Sequence, residues 1–431
     1  MKMVKSLILG SAAGLIAVGG AQAADLPVKA KAVEYVKVCS LYGAGFWYIP
    51  GTDTCMKIGG YVRIDTTFNG GVYGAPYWNA DPGQGNRFRD YFNSRSRMAL
   101  TVDTRTATEY GVVRTFAQGD FQFQNFGTSN PGGPQVTGAP LNNALLSTAG
   151  GGYVAVEFVF IQFAGFTFGK SASAYATPWN GYPGNNNSFL MGGHDTVTGV
   201  NNIQYTAEFG NGVSASIGLD DPTVFNRTAV WNMALGVGAN GTGTNAYGGT
   251  HAPDIVGRIR VDQAWGLFQV SGAAHLVNAS YNTLGAGGSP TNLSEISGHP
   301  EDKWGGAVMA ALQIKNLPTG AGDDFKIDAT YAIGDTKQVV STSGGSPSIA
   351  MFGGSGLGYQ SVGFGGTSDG LYAPPGTFGF AAGGPGSGII LTKAWGIRGA
   401  FYHNWDPYWS TSLWGSYAQV RYNGNSLDIL S

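Results

Sequence analysis

Residues Asn202 to Asp220 read as a strand pair with two chemically different faces. Ile203, Tyr205, Ala207 and Phe209 share one parity, and Asn202, Gln204, Thr206 and Glu208 the other. After Gly210-Asn211-Gly212, Val213, Ala215, Ile217 and Leu219 resume the apolar side, with Ser214, Ser216, Gly218 and Asp220 opposite. Successive strand side chains point to opposite faces, so this hairpin presents one surface to an apolar environment and one to water. A soluble sandwich also alternates, with its apolar side turned inward. One hairpin alone does not choose between the two.

The same alternation recurs along the chain, at about 57–68, 92–103, 109–123, 153–163, 166–171, 201–209, 213–220, 254–262, 267–276, 304–315, 324–333, 389–402 and 408–422, which makes thirteen strands. No segment of comparable length carries a 3.6-residue apolar stripe, so the fold class is all-β. Short connections (104–108, 164–165, 210–212, 263–266, 316–323, 403–407) alternate with long ones rich in Gly, Asn, Ser, Thr and Pro (69–91, 124–152, 172–200, 221–253, 277–303, 334–388). In an antiparallel up-and-down sheet this regularity puts every long loop at one end and every short turn at the other, as in a transmembrane β-barrel. Greek-key crossings have no reason to produce it.

The N-terminus carries Lys2 and Lys5, an apolar run over 6–18 and a small-residue site at Ala21-Gln22-Ala23, so 1–23 reads as a signal peptide. No later apolar run approaches the roughly 18 residues of a membrane helix, and any membrane crossing has to use strands. Removing Lys2 and Lys5 leaves 22 basic against 26 acidic residues, a formal charge of −4, which argues against nucleic acid as a partner. Charged residues make up 12% of the chain, against about 25% in ordinary soluble domains, and amides and hydroxyls supply most of the polar parity. Cys39 and Cys55 are the only cysteines, 16 residues apart in an exported chain. A disulfide is expected, contributing about 3 kcal/mol through loop closure; the alternative, zinc, lacks further ligands.

In a membrane barrel the apolar parity meets lipid and the polar parity the lumen. The lumen parity then gathers Lys57, Arg63, Asp65, Arg95, Arg97, Asp103, Arg114, Asp120, Glu208, Arg258, Arg260, Asp262, Lys326 and Asp328 as pore-lining candidates. The opposite parity carries Met98, Leu100, Val102, Ile255, Ile259, Val261, Val308, Leu312, Ile327 and Ile333. Lys393 is an exception on the apolar side, near a strand end where its stem can snorkel.

The run YGAGFWYIPGTDTC (Tyr42–Cys55) leading into MKIGGYVRID (Met56–Asp65) resembles the general porins of alphaproteobacteria, as do GAQAAD at Gly20–Asp25, the cysteine pair and the strand order through Tyr417. The resemblance covers most of the chain. It implies a 16-stranded barrel in the outer membrane of a Gram-negative bacterium, reached through the periplasm and surrounded by outer-membrane lipid. It further implies a homotrimer passing small hydrophilic solutes and ions by passive diffusion, with no cofactor, no metal and no catalytic residue. Residues 24–55 then form an N-terminal segment and 56–431 the barrel domain. The family's third long loop folds into the lumen; here that is 172–200, with Tyr175, Trp179, Tyr182, His194 and Asp195 as constriction candidates and Gly192-Gly193 permitting a bend. Arg63, Arg95, Arg97 and Arg114 face that loop as a basic wall, or simply pair with Asp65, Asp103 and Asp120. With Asp195 its one acid, the loop fits a constriction shaped by aromatic and amide groups as well as one with a transverse field.

Thirteen strands is an odd number, and the final residues Leu427-Asp428-Ile429-Leu430-Ser431 lack a terminal aromatic residue. The expectation is a barrel domain incomplete at its C-terminus, which inserts poorly alone because unpaired edges are not tolerated in hydrocarbon. Other motifs carry little chemistry. Gly354-Ser355-Gly356-Leu357-Gly358 lacks the strand and helix of a nucleotide cradle. His194-Asp195 is too few ligands for a metal, and His275 is expected as a hydrogen-bonded wall residue. Gly366-Thr367-Ser368-Asp369-Gly370 matches a nucleophile elbow by chance in a glycine-rich stretch. An outer-membrane hydrolase, a non-conducting adhesin and a substrate-selective channel are the alternatives to a general pore.

Overall fold

The computed structural model describes residues 37–68, 92–124, 153–179, 192–194, 198–223, 227–236, 245–285, 288–340, 348–352 and 362–422. The export segment, Tyr182, Asp195 and the Gly354–Gly358 run lie outside these residues. The strands are β1 (Trp47–Tyr48), β2 (Thr54–Phe68), β3 (Phe92–Thr108), β4 (Gly111–Gln124), β5 (Tyr153–Phe163), β6 (Phe166–Ser171), β7 (Val200–Gly210), β8 (Val213–Asp220), β9 (Val230–Asn232) and β10 (Asp254–Gln263). They continue with β11 (Gly266–Val277), β12 (Lys303–Lys315), β13 (Asp324–Ile333), β14 (Ser348–Phe352), β15 (Val362–Gly366), β16 (Gly370–Tyr372), β17 (Ile390–Leu391), β18 (Lys393–Asn404) and β19 (Ser410–Arg421).

Fourteen of these form one sheet in the order β1-β2-β3-β4-β5-β6-β7-β8-β10-β11-β12-β13-β18-β19. All thirteen strands expected from the alternation are present, and the fourteenth is the dipeptide β1, too short to show a period. Each long strand is antiparallel to its sequence neighbours in the sheet. Among the described residues β19 pairs only with β18, and β2 pairs with β3 and, at Cys55 and Met56, with β1.

The opening hairpin shows how the sequence sets the sheet. Positive φ at Gly210, Asn211 and Gly212 lets the chain reverse at once, and Tyr205 then lies opposite Ile217 and Thr206 opposite Ser216. Ile217 is 62% exposed, whereas Ser216 beside it is 6% exposed. Ile255, Ile259, Val270 and Val308 repeat the exposed apolar side on β10 to β12. The surface is therefore inverted relative to a soluble domain, with aliphatic groups outward and polar groups inward. On β5 the parity survives an insertion: Gln118 pairs with Phe158 and Gly119 with Val156, leaving Glu157 as a bulge. Val154 and Val156 before it and Val159 and Ile161 after it consequently all stay exposed.

Three features depart from the sequence reading. The strand expected at 389–402 is broken at Thr392, whose N–H donates to the Asp369 carbonyl while its own carbonyl accepts from Gly334, so 390–391 leaves the large sheet. The long connections are partly regular: β9 runs parallel to β16, β16 pairs with β17, and β14 with β15. The inner face is not uniformly polar, because Val256, Ala307, Met309, Ala332 and Ala394 form a buried apolar patch with Ala174 and Tyr175.

At the short-turn end, the Cys39–Cys55 disulfide closes a small core with Phe46. Its 16-residue separation corresponds to about 3 kcal/mol of loop-closure stabilisation. If the outward face meets hydrocarbon, Ile259→Arg, at an exposed position near the middle of β10, is expected to cost about 2–4 kcal/mol of folding free energy in phospholipid vesicles. Urea titration of vesicle-embedded protein checks this, and an unchanged midpoint would place that face in water.

Candidate functional site: the inner wall and the inward segment

The inward parity of β2, β3 and β4 concentrates charge. Arg63 and Arg97 are direct cross-strand partners, as are Asp65 and Arg95. Like charges facing each other repel, and two carboxylates separate them: Arg63 Nε lies 2.9 Å from Asp65 Oδ1, Arg95 Nη2 2.7 Å from Asp65 Oδ2, and Arg97 Nη1 2.8 Å from Asp120 Oδ2. Arg97 Nε also donates to Gln122 Oε1 at 2.5 Å. The arginines pair with Asp65 and Asp120, Arg95 and Asp120 being buried within that network while Arg63 keeps 20% of its side chain accessible.

Nearer the short turns, Arg105 and Arg114 face each other and share Asp103, at 3.1 and 3.0 Å. Arg114 Nη1 donates to Gln162 Oε1, and its guanidinium lies 5.3 and 5.5 Å from the ring centres of Phe116 and Phe160. Arg105 stacks on Phe46 and Tyr42 of the disulfide-closed segment. Lys57 is exposed opposite Asp103. Arg105 shares the inward parity of Arg95 and Arg97 on one strand, a signal available from the sequence.

A smaller charged group lies on β7 to β13. Glu208 is exposed opposite Ser214, which itself faces Arg260. Arg258 donates to Ser216, Arg260 and Lys315 both reach Asp262, and Lys326 pairs with Asp324. His275 is hydrogen-bonded, with Nδ1 2.6 Å from Asp254 and Nε2 3.0 Å from the Tyr247 hydroxyl, and it is fully buried.

The segment after β6 does not stay beside its own strand. Ala174 and Tyr175 bury themselves on the inward residues of β10, β12, β13 and β18. Gln269 on β11 donates to the Ala176 carbonyl at 2.7 Å, and Arg398 on β18 donates to the His194 carbonyl at 3.0 Å. Tyr175 and His194 meet edge to face at 6.1 Å, and Trp179 is also buried. Of the constriction candidates, Tyr175, Trp179 and His194 therefore lie on buried parts of this segment. Tyr175, packed on small inward side chains of those strands, and His194, through its carbonyl, anchor the segment there.

Arg398 is a residue the sequence reading missed. It shares the inward parity of β18 and lies opposite Asp328, so cross-strand charge complementarity was the available signal. Asp369, dismissed within a chance motif, accepts from the Thr228 and Thr336 amides, the Thr336 hydroxyl and the Tyr247 hydroxyl. It ties the long connections together, and nothing local in the sequence predicts those distant partners. Ser368 in the same motif lies 3.5 Å from the Thr392 hydroxyl, which is no general base.

Residues 25–429 match the Porin subfamily. The chain is 36% identical over 269 residues to the porin Omp2b of Brucella suis, covering 61% of this chain and 64% of that one. It is also 36% identical over 268 residues to the porin Omp2b of Brucella abortus (strain 2308), covering 61% and 63%. The chain thus spans less than two thirds of the length of these curated relatives. Among solved structures, the outer membrane channel DcaP of Acinetobacter baumannii shares the fold, with a TM-score of 0.53 and 13% identity over 87% of this chain and 81% of that one.

The seated segment carries a pH dependence. Burial pushes the His194 imidazole down to about 3, with the Lys337 and Arg398 charges adding to the effect. An unseated, solvated imidazole takes up its proton near pH 6.5. Acidification therefore favours the unseated form, and the loss grows as pH falls from about 6.5 towards 3. At pH 5 it amounts to about 2 kcal/mol. Protection of the Gly192 amide, which donates to Val339, is expected to fall about thirty-fold between pH 7.5 and 5 in hydrogen exchange corrected for intrinsic rates. His194→Gln should abolish that dependence; equal protection at both pH values would contradict it.

Proposed function

Because this chain belongs to the Porin subfamily, we propose that it forms a water-filled channel for passive diffusion of small hydrophilic solutes and ions, narrowed by the inward segment around 172–200. The family places it in the outer membrane of a Gram-negative bacterium and among channels, not enzymes, which removes the hydrolase alternative. The observation that supports the channel best is the seating of Ala174, Tyr175 and His194 on the β10–β18 side. That covers inward residues of β10 to β18, while Lys57 and Arg63 on β2 stay accessible. Solutes then pass along a wall bearing six basic residues (Lys57, Arg63, Arg95, Arg97, Arg105, Arg114) against three acids (Asp65, Asp103, Asp120).

Acids and bases nearly balance over the whole inner parity, but they are not evenly placed. A path confined to β2–β4 favours anions through the positive excess there. The exposed apolar belt is the surface for outer-membrane lipid, and three such barrels associating through part of it would give the trimer expected of the family.

Planar-bilayer recording of the full chain tests this reading. Discrete conductance steps in KCl are expected, with a reversal potential under a salt gradient displaced towards the chloride side. Absence of conductance from folded, vesicle-inserted protein would sink the channel, and cation preference would sink the assignment of the path to the β2–β4 face.

A further inference from the structure

The seating of the inward segment converges on one buried point. Asp328 and Arg398 face each other across β13 and β18, with Arg398 Nε 2.9 and 3.1 Å from the two carboxylate oxygens and both side chains at 0% exposure. The guanidinium also reaches the segment: Nη2 donates to the His194 carbonyl at 3.0 Å, an oxygen that accepts from the Thr177 hydroxyl at 3.3 Å as well. Gly193 lies so close that a Cβ there would collide with Asp328 Oδ1 and with Arg398 Nε and Nη2. Gly192 beside it rests against the Gly396 backbone and donates to Val339 at 2.7 Å.

Stability alone gives this pair no rationale. Removing two charges from water costs several kcal/mol per ion, and an apolar pair of similar volume is often as stable. An apolar pair has no donor for the His194 carbonyl. A guanidinium has donors in a fixed fork, so a carboxylate held at Nε aims the remaining donors in one direction.

We propose that Arg398, oriented by Asp328, is the positioning residue of the channel: it latches the inward segment to the β13–β18 wall and thereby sets both the bore and the confinement of solutes to the basic β2–β4 face. The proposal rests on the channel reading above. It makes a wall residue outside the solute path a determinant of conductance and ion preference.

Two variants of the full chain test the latch from opposite sides. Arg398→Lys keeps a cation beside Asp328, but its single ammonium cannot hold the carboxylate and the His194 carbonyl with the same fork. Gly193→Ala keeps both charged side chains and sets a methyl group against them, which wedges the segment away from the wall; lying in a connection, it spares the strand ladder. Both are expected to raise single-channel conductance in KCl by about 1.5- to 2-fold and to move the reversal potential towards zero, because the path widens away from the basic wall. Conducting wild type with both variants unchanged in conductance and reversal potential would overturn the latch while leaving the channel intact. If wild type does not conduct, the channel reading fails and the latch is judged by Gly192 amide exchange, which both variants should accelerate; unchanged exchange would overturn it.

Discussion

The interstrand hydrogen-bond ladder is the constraint on which the rest of this structure depends. In hydrocarbon an unpaired amide or carbonyl costs several kcal/mol, so a chain without an apolar helix of sufficient length crosses a membrane only when neighbouring strands satisfy one another's backbones. Once the ladder runs from β2 to β19, each side chain has two directions available. Ile217, Ile259 and Val308 take the outer one and Ser216, Asp120 and Asp328 the inner. The bulge at Glu157 shows how strongly the rule acts: one residue is looped out of register, and the valines on both sides of it keep facing outward.

Satisfying the ladder leaves an interior to be filled or hydrated, and the two sides are treated differently. On β2 to β4 the inward residues are long and charged, and arginines facing each other are held by carboxylates interleaved between them. From β10 to β18 many inward residues are small or apolar, and the returning segment covers them with Tyr175. A small side chain on the inner wall is thus a docking position for another part of the chain. The long connections behave alike, packing Val230, Tyr372 and Ile389 into a core of their own around the Asp369 hydrogen bonds.

What was legible in the sequence follows from which interactions are local. Strand positions were readable because alternation at Ile203, Tyr205 and Phe209 is a property of adjacent residues. The ordering of long and short connections was readable because an up-and-down sheet leaves little freedom once the strands are known. Arg63, Arg97 and Asp120 could be assigned to one face by parity alone, but not that Arg95 and Asp120 are buried there, since burial depends on partners many residues away. Asp369 is the clearest limit: its partners Thr228 and Tyr247 are separated from it by more than a hundred residues. Alternation likewise could not single out the inward alanines that receive Tyr175, because every small residue of that parity reads alike.

This difference bears on how charge acts in the interior. Counted over the whole inner parity, acids and bases nearly cancel, and a net count predicts little preference among ions. Ionic interactions weaken over about a Debye length, roughly 8 Å at physiological salt, so a solute responds to the charges beside its path and not to the sum over the barrel. Asp328 and Arg398, under the segment seated on β10 to β18, are out of contact with water, whereas Lys57, Arg63, Arg105 and Arg114 on β2 to β4 stay accessible. In the channel proposed above, selectivity would be a consequence of packing. The apolar fit of Tyr175 and the hydrogen bond to the His194 carbonyl would then decide which charges an ion meets, although neither group carries a charge of its own.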